Sequence, residues 1–181
     1  MSGEFARKVS IFLIVSPLGV MLVPNSPKPF RIMFVCLGNI CRSPAAQAVM
    51  QALVQDRKVA DRFEIDSAGT ASYHLGKLPD SRMIAAGAKR GLQLTSLAKA
   101  ITAEHVADRE LILAMDRENL NNIRRMSKLD SQNVRLLSDY LDATWPRDVP
   151  DPYYGGDAGF ETVLDMLEAA CPKILDDCLG C

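Results

Sequence analysis

Short apolar runs alternate with longer amphipathic stretches along most of the chain. The runs at residues 31–36, 63–68, 111–114 and 134–137 predict buried strands. Apolar residues at helical spacing, together with capping residues, predict helices at 44–57, 80–90, 101–105, 116–127 and 160–179. This alternation predicts a single doubly wound α/β domain with a four-stranded parallel sheet flanked by helices, in a flavodoxin-like strand order.

The first residues do not follow this pattern. An apolar run at residues 9–23 follows Arg7 and Lys8, as in the core of a signal peptide. The run contains Pro17, is too short to cross a bilayer as a helix, and is followed by no small-x-small cleavage site. A targeting or membrane-tethering segment, an extra arm and an upstream-translated artefact all remain open. We therefore predict an N-terminal extension of uncertain role at residues 1–29 and a domain at 30–181.

One ten-residue string joins the first predicted strand to the first predicted helix. Residues 35–44 read Val-Cys-Leu-Gly-Asn-Ile-Cys-Arg-Ser-Pro. The N-terminus of a helix after a short loop is an anion site, because its backbone N–H groups have no partners within the helix. We expect Gly38 to give this loop its conformational freedom, and Asn39 to fix it by hydrogen bonds to the backbone.

Two side chains add chemistry to this loop. The helix N-terminus and the charge of Arg42 favour the thiolate form of Cys36, which is then a nucleophile at neutral pH. Arg42 presents a planar fork that binds two oxygens of a tetrahedral anion. Ser43 can donate a hydrogen bond to the Cys36 sulfur. A phosphate monoester fits this arrangement. The alternative is that the string has no function and is only a buried cysteine with a surface arginine nearby.

A second string lies in a long loop, residues 138–158, that is rich in proline and glycine. It reads Asp151-Pro152-Tyr153-Tyr154-Gly155. Expulsion of a phenolate from phosphorus is slow unless an acid protonates the leaving oxygen. Asp151, held between two prolines, suits this role, and Tyr153 and Tyr154 would provide an apolar wall for an aromatic ring.

Together the two strings resemble the low-molecular-weight protein tyrosine phosphatase family. The family's cysteine loop matches residues 35–44 almost letter for letter, its general-acid loop carries the same Asp-Pro-Tyr-Tyr-Gly string, and the resemblance covers roughly residues 31–178. It implies hydrolysis of phosphotyrosine monoesters through a cysteinyl-phosphate, together with acid phosphatase activity on aryl phosphates. The expected catalytic residues are Cys36, Arg42 and Asp151. The expected phosphate-binding residues are Leu37, Gly38, Asn39, Ile40, Cys41 and Ser43.

The resemblance has further implications. An aromatic residue at the position of Tyr73 would flank the substrate ring, and Cys41 could form a protective disulfide with Cys36. We expect His74 to be a solvated loop residue and Asp116 to be a helix cap that also bonds the neighbouring loop. The chain departs from the family at residues 94–100, where a histidine that supports the loop is commonly found. No metal or cofactor is expected.

Three other functions remain open. A protein arginine phosphatase shares this scaffold, although Leu37, Ile40, Tyr153 and Tyr154 favour a deep apolar slot for an aromatic ring. An arsenate reductase would need relay cysteines near the third strand, and residues 80–116 contain none. A phosphate-binding or redox-sensing module without turnover could dispense with Asp151.

Composition bears on the environment and the partners of the chain. The chain has 181 residues, 48% of them hydrophobic, and a net charge of −1, which gives no reason to expect nucleic acid as a partner. Its five cysteines are an odd number and Cys36 must be reduced, so a cytoplasmic location is expected. We expect a monomer or weak dimer acting on phosphotyrosine proteins or small aryl phosphates, without firm evidence for membrane binding. The physiological substrate and any phosphorylation of Tyr153 or Tyr154 stay open.

Overall fold

A four-stranded parallel sheet forms the centre of the computed structural model, which describes residues 11–16, 19–24, 28–126 and 132–180. Its strands are β3 (Phe30–Cys36), β4 (Phe63–Gly69), β5 (Leu111–Ala114) and β6 (Val134–Leu136). They lie in the order β4-β3-β5-β6, and every neighbouring pair is parallel. The predicted sheet and its flavodoxin-like order are confirmed.

The helices cover both faces of this sheet. They are α1 (Arg42–Asp56), α2 (Ser81–Lys89), α3 (Ala103–Asp108), α4 (Arg117–Met126) and α5 (Asp157–Leu179), with short 3₁₀ turns at Ala60–Arg62 and Leu137–Tyr140. Successive side chains of a strand point to opposite faces. Ile32 and Phe34 therefore pack into one core with α1, α2 and α5, whereas Met33 and Val35 pack into a second core with α3 and α4.

The predicted element ends differ from the observed ones by a few residues. The last strand stops one residue early because Leu137 begins a 3₁₀ turn. The last helix begins at Asp157, three residues before its predicted start. Within α1, Met50 and Val54 are buried, whereas Ala52 is exposed.

Capping residues are observed at two helices, α2 and α3. The Asp80 side chain accepts a hydrogen bond from the Arg82 backbone N–H at the start of α2. Thr102 caps α3 in the same way, and Gly91 follows α2 with a φ of 75°, as a glycine after a helix does. These local signals place α2 and α3 where the sequence predicts them.

The extension contains two short strands, β1 (Ile11–Ser16) and β2 (Gly19–Pro24), which pair antiparallel. No helix among the described residues is both long and apolar enough to span a membrane. The division of the chain into an extension and a domain stays a prediction.

Candidate active site

The cysteine loop, residues 36–43, lies at the carboxyl end of the central strand. Cys36 is the last residue of β3 and Arg42 is the first of α1. β4 pairs with one edge of β3 and β5 with the other, so the loop lies where the strand order reverses. Ligands bind at this point in open α/β sheets. Cys36 and Arg42 are each 3% exposed, so both side chains are largely shielded from water.

Two polar groups lie beside the Cys36 sulfur. The Asn39 backbone N–H donates to Cys36 Sγ at 3.2 Å, and Ser43 Oγ lies 3.1 Å from the same sulfur. Ser43 Oγ also lies 3.2 Å from the Ala68 carbonyl oxygen, which is a second acceptor for its proton. Hydrogen bonds directed at sulfur stabilise its anionic form, and Ser43 lies within reach to donate one, as predicted.

Asn39 fixes the shape of the loop through its side chain. It is 1% exposed and has a φ of 55°, the left-handed region that asparagine tolerates better than most residues. Its Nδ2 donates to Ser43 Oγ at 2.8 Å and to Ser67 Oγ at 3.0 Å, and its Oδ1 accepts from the Lys99 backbone N–H at 2.9 Å. Residues 94–100, which do not contain the family's expected histidine, thus support the loop through a backbone group.

Gly38 is needed for a reason other than the predicted one. Its φ is not positive, and the left-handed residue of the loop is Asn39. A Cβ atom at position 38 would lie 3.0 Å from His74 Cδ2, so glycine allows the close approach of His74. The prediction that Gly38 provides conformational freedom is therefore wrong. Glycine is needed at position 38 because a side chain there would crowd His74.

Arg42 is held from two sides. Its Nη1 donates to Asp116 Oδ2 at 2.7 Å and to the Val149 carbonyl oxygen at 3.1 Å, and its Nη2 donates to Asp151 Oδ2 at 2.6 Å. Burial opposes the charge of Arg42, but the negative groups of Cys36, Asp151 and Asp116 outweigh it and raise the pKa above its usual value. The guanidinium therefore stays charged and is fixed in orientation.

Asp116 has both of its predicted roles. Its Oδ1 accepts from the Asn119 backbone N–H at 2.7 Å at the start of α4, while its Oδ2 binds Arg42. The sequence predicted the cap and a bond to the neighbouring loop but did not identify Arg42 as the partner. That contact joins residues 74 positions apart, so no local pattern reports it.

The aspartate loop, residues 149–155, brings Asp151 to the mouth of the site. The Val149 N–H donates to the Met115 carbonyl oxygen at 2.8 Å, which ties this loop to the end of β5. The Asp151 side chain is 36% exposed, and its Oδ1 accepts from the Tyr153 backbone N–H at 3.1 Å. A carboxyl group therefore lies over the guanidinium, beside the loop that contains the buried thiol.

A single cleft brings together most of the predicted site residues. Tyr73 and Tyr154 are strongly exposed at its rim, and the Tyr153 and Tyr154 rings meet edge to face at 5.0 Å. His74, expected to be solvated, instead lies in this cleft with its ring centroid 6.3 Å from that of Tyr153. Asn39 and Ser43 lie behind the cleft. It is lined by Cys36, Leu37, Gly38, Ile40, Cys41, Arg42, Tyr73, His74, Asp151, Tyr153 and Tyr154.

Comparisons with known proteins agree with this geometry. A family model described as low molecular weight phosphotyrosine protein phosphatase matches residues 31–179. A Synechocystis protein named a putative low molecular weight protein-tyrosine-phosphatase is 45% identical over 147 residues, which cover 80% of this chain and 94% of the relative. The mouse low molecular weight phosphotyrosine protein phosphatase is 41% identical over 148 residues, covering 80% and 93%.

Solved structures give the same result. A protein tyrosine phosphatase from Entamoeba histolytica, with Hepes in its active site, superposes with a TM-score of 0.80 at 39% identity, covering 83% of this chain and 98% of the other. The Drosophila arginine phosphatase superposes with a TM-score of 0.75 at 30% identity, covering 81% and 96%. The family model and the relatives together establish that this chain belongs to the low molecular weight phosphotyrosine protein phosphatase family.

Proposed function

We propose that this chain hydrolyses phosphotyrosine monoesters, and aryl phosphates more generally, through a cysteinyl-phosphate on Cys36. One observation supports this most strongly: Asp151 Oδ2 lies 2.6 Å from Arg42 Nη2, while Arg42 begins the helix that follows the Cys36 loop. This brings nucleophile, anion binder and acid to the mouth of one cleft, although Asp151 is 115 residues from Cys36 in sequence.

In the first step, the Cys36 thiolate attacks phosphorus in line with the leaving oxygen. The S–P bond forms as the P–O bond to the phenol breaks, and protonated Asp151 gives its proton to that oxygen. Arg42 and the backbone N–H groups of the cysteine loop hold the three equatorial oxygens. These groups are already in place before the reaction, so they stabilise the developing charge without reorganisation.

In the second step, water attacks the phosphorus of the cysteinyl-phosphate. Asp151, now a carboxylate, accepts a proton from this water, and the S–P bond breaks. Inorganic phosphate leaves, and the Cys36 thiolate re-forms with hydrogen bonds from Asn39 N–H and Ser43 Oγ. Asp151 is protonated again, so the cycle closes without a metal or a cofactor.

The walls of the cleft favour an aromatic leaving group. Leu37 and Ile40 line it from the cysteine loop, and Tyr73, Tyr153 and Tyr154 line it from two other loops. Apolar and aromatic walls stabilise a phenyl ring by burying it from water. We therefore favour phosphotyrosine proteins over phosphoarginine proteins as substrates.

We also infer a cytoplasmic, reducing environment and a monomeric or weakly dimeric protein. Cys36, Cys41, Cys171 and Cys178, the cysteines within the described residues, are all free thiols. A reducing compartment keeps such thiols reduced.

A substrate comparison tests the proposal. The wild-type protein, Cys36→Ser and Asp151→Asn are assayed with para-nitrophenyl phosphate, a phosphotyrosine peptide and a phosphoarginine peptide. We expect the wild type to favour phosphotyrosine, Cys36→Ser to be inactive, and Asp151→Asn to lose activity most on phosphotyrosine. Preference for phosphoarginine would replace the proposal with arginine phosphatase activity. Arsenate-dependent thiol oxidation would indicate the reductase, and binding without turnover would indicate a non-catalytic module.

A further inference from the structure

We propose that Arg82, in the first turn of α2, is a positioning residue that holds the aspartate loop over the cysteine loop. It acts through Tyr153 and sets the position of the Asp151 carboxyl group. The inference rests on the proposed role of Asp151 as general acid. Arg82 is not among the residues that line the cleft, so its effect on the reaction would be indirect.

Arg82 is anchored on the side of the cysteine loop. Its Nε donates to Asp80 Oδ1 at 3.0 Å and its Nη2 to Asp80 Oδ2 at 2.8 Å, a two-pronged contact that fixes the plane of the guanidinium. These hydrogen bonds lower the pKa of the Asp80 carboxyl group, so the pair is charged at neutral pH. The Asp80 backbone N–H in turn donates to the Ile40 carbonyl oxygen at 2.7 Å, within the cysteine loop.

The same guanidinium contacts the aspartate loop. Its Nη2 donates to the Tyr153 carbonyl oxygen at 3.2 Å, and its central carbon lies 5.6 Å from the centroid of the Tyr153 ring. The Phe160 ring of α5 lies on the guanidinium as well, at 4.8 Å. Contacts of this kind between a cation and an aromatic face are favourable and restrict the planar group further.

These contacts form a continuous path between the two loops. It runs from Ile40 to the Asp80–Arg82 pair, then to Tyr153, whose backbone N–H donates to Asp151 Oδ1 at 3.1 Å. Each link is a hydrogen bond or an ion pair, and the middle of the path, the Asp80–Arg82 pair, does not line the cleft. Ile40 and Asp151 are therefore connected through the Asp80–Arg82 pair, which lies outside the cleft.

This path matters because the other restraint on Asp151 is temporary. Asp151 Oδ2 binds Arg42 Nη2, and a phosphate group bound by Arg42 competes for that same donor. When Arg42 Nη2 donates to a phosphate oxygen instead, Asp151 loses one of its two hydrogen bonds. The Arg82–Tyr153 contact remains and keeps the acid in reach of the leaving oxygen.

The test varies how much the leaving group needs a proton. Wild type, Arg82→Met and Arg82→Lys are compared by kcat/KM on phenyl phosphate, a basic leaving group, and on 2,4-dinitrophenyl phosphate, an acidic one. We expect Arg82→Met to lose about tenfold on phenyl phosphate, or about 1.4 kcal/mol of transition-state stabilisation, and less than about twofold on the dinitrophenyl ester. Arg82→Lys keeps the charge without the fork, and we expect an intermediate loss with the same dependence on the leaving group. The inhibition constant of inorganic phosphate should stay within about twofold in both variants, because the cysteine loop is unaltered.

Arg90→Met is the matched control. Arg90 follows the same helix and binds Glu161, Asp165 and Glu168 of α5, but contacts neither loop of the site. Arg90→Met should lower stability and leave the ratio of kcat/KM between the two esters unchanged.

If Arg82→Met lowers kcat/KM equally on both substrates, or on neither, the positioning role is wrong. If Arg82→Met does not fold, Arg82→Lys decides by the same criterion. If the loss of kcat/KM in Asp151→Asn does not depend on the leaving group, the general-acid role of Asp151 is wrong. That result differs from one in which only Arg82→Met lacks this dependence, which would refute the positioning role alone.

Discussion

Replacing Asn39 by alanine should destabilise the cysteine loop and the fold together. The substitution removes three side-chain hydrogen bonds, to Ser43, Ser67 and the Lys99 backbone N–H. Each contributes about 1 kcal/mol net. Alanine must also adopt the φ of 55° that Asn39 has, which costs about 1 kcal/mol more than for asparagine. The expected loss is about 4 kcal/mol of the free energy of unfolding, a large part of the typical total of about 5–15 kcal/mol.

Asn39→Gly separates the two contributions. Glycine adopts positive φ without strain, so this variant should lose only the hydrogen-bond part, about 3 kcal/mol. Urea unfolding monitored by circular dichroism gives both values, and kcat/KM on para-nitrophenyl phosphate reports the state of the loop. Asn133→Ala is a control away from the site: Asn133 Nδ2 donates to the Val106 and Arg109 carbonyl oxygens at 2.9 and 2.8 Å. It should lower stability and leave kcat/KM unchanged. An Asn39→Ala protein within about 1 kcal/mol of wild type would refute this account of the loop.

Three further predictions concern Cys41 and Asp116. Burial raises the pKa of the Cys41 thiol from its ordinary 9.0 to about 12. The folded state therefore favours the neutral thiol, and this contribution to the free energy of unfolding is fully present below pH 9 and is lost as the pH rises through about 12. Unfolding free energies measured from pH 8 upward should therefore fall less steeply for Cys41→Ala than for wild type, and equal slopes would contradict the assignment. The disulfide implied by the family predicts that thiol reductant restores peroxide-treated wild type but not Cys41→Ser, and equally irreversible inactivation of both would exclude it. Asp116→Ala should cost about 1 kcal/mol for the lost cap and lower kcat/KM by releasing Arg42, and an unchanged kcat/KM would show that Arg42 needs no support from α4.

The sequence predicts the sheet and the two loops of the site because their signals are local. Apolar runs identify β3 to β6, and residues 35–44 and 151–155 carry their chemistry in contiguous strings. Caps such as Asp80 and Thr102 act on backbone groups within a few residues, so they too can be read from the chain.

What the sequence does not predict depends on contacts between distant residues. His74 enters the cleft because it packs over Gly38, and nothing near residue 74 indicates this. Arg82 meets Tyr153 across 71 positions, and its neighbour Asp80 explains only its local partner. Strands β1 and β2 were also not predicted, because a continuous apolar run has no alternation to distinguish a strand from a helix.

The most direct test of the central claim is to trap phosphorus on Cys36. Asp151→Ala is mixed with 2,4-dinitrophenyl phosphate, whose leaving group departs without a proton, and the reaction is quenched before turnover is complete. The first step should proceed and the second should be slow, because no carboxylate activates the water. Mass spectrometry of the quenched, digested protein should then find one phosphate on the peptide that contains Cys36. Phosphate on another residue, or catalytic release of dinitrophenol by Cys36→Ser, would contradict the account.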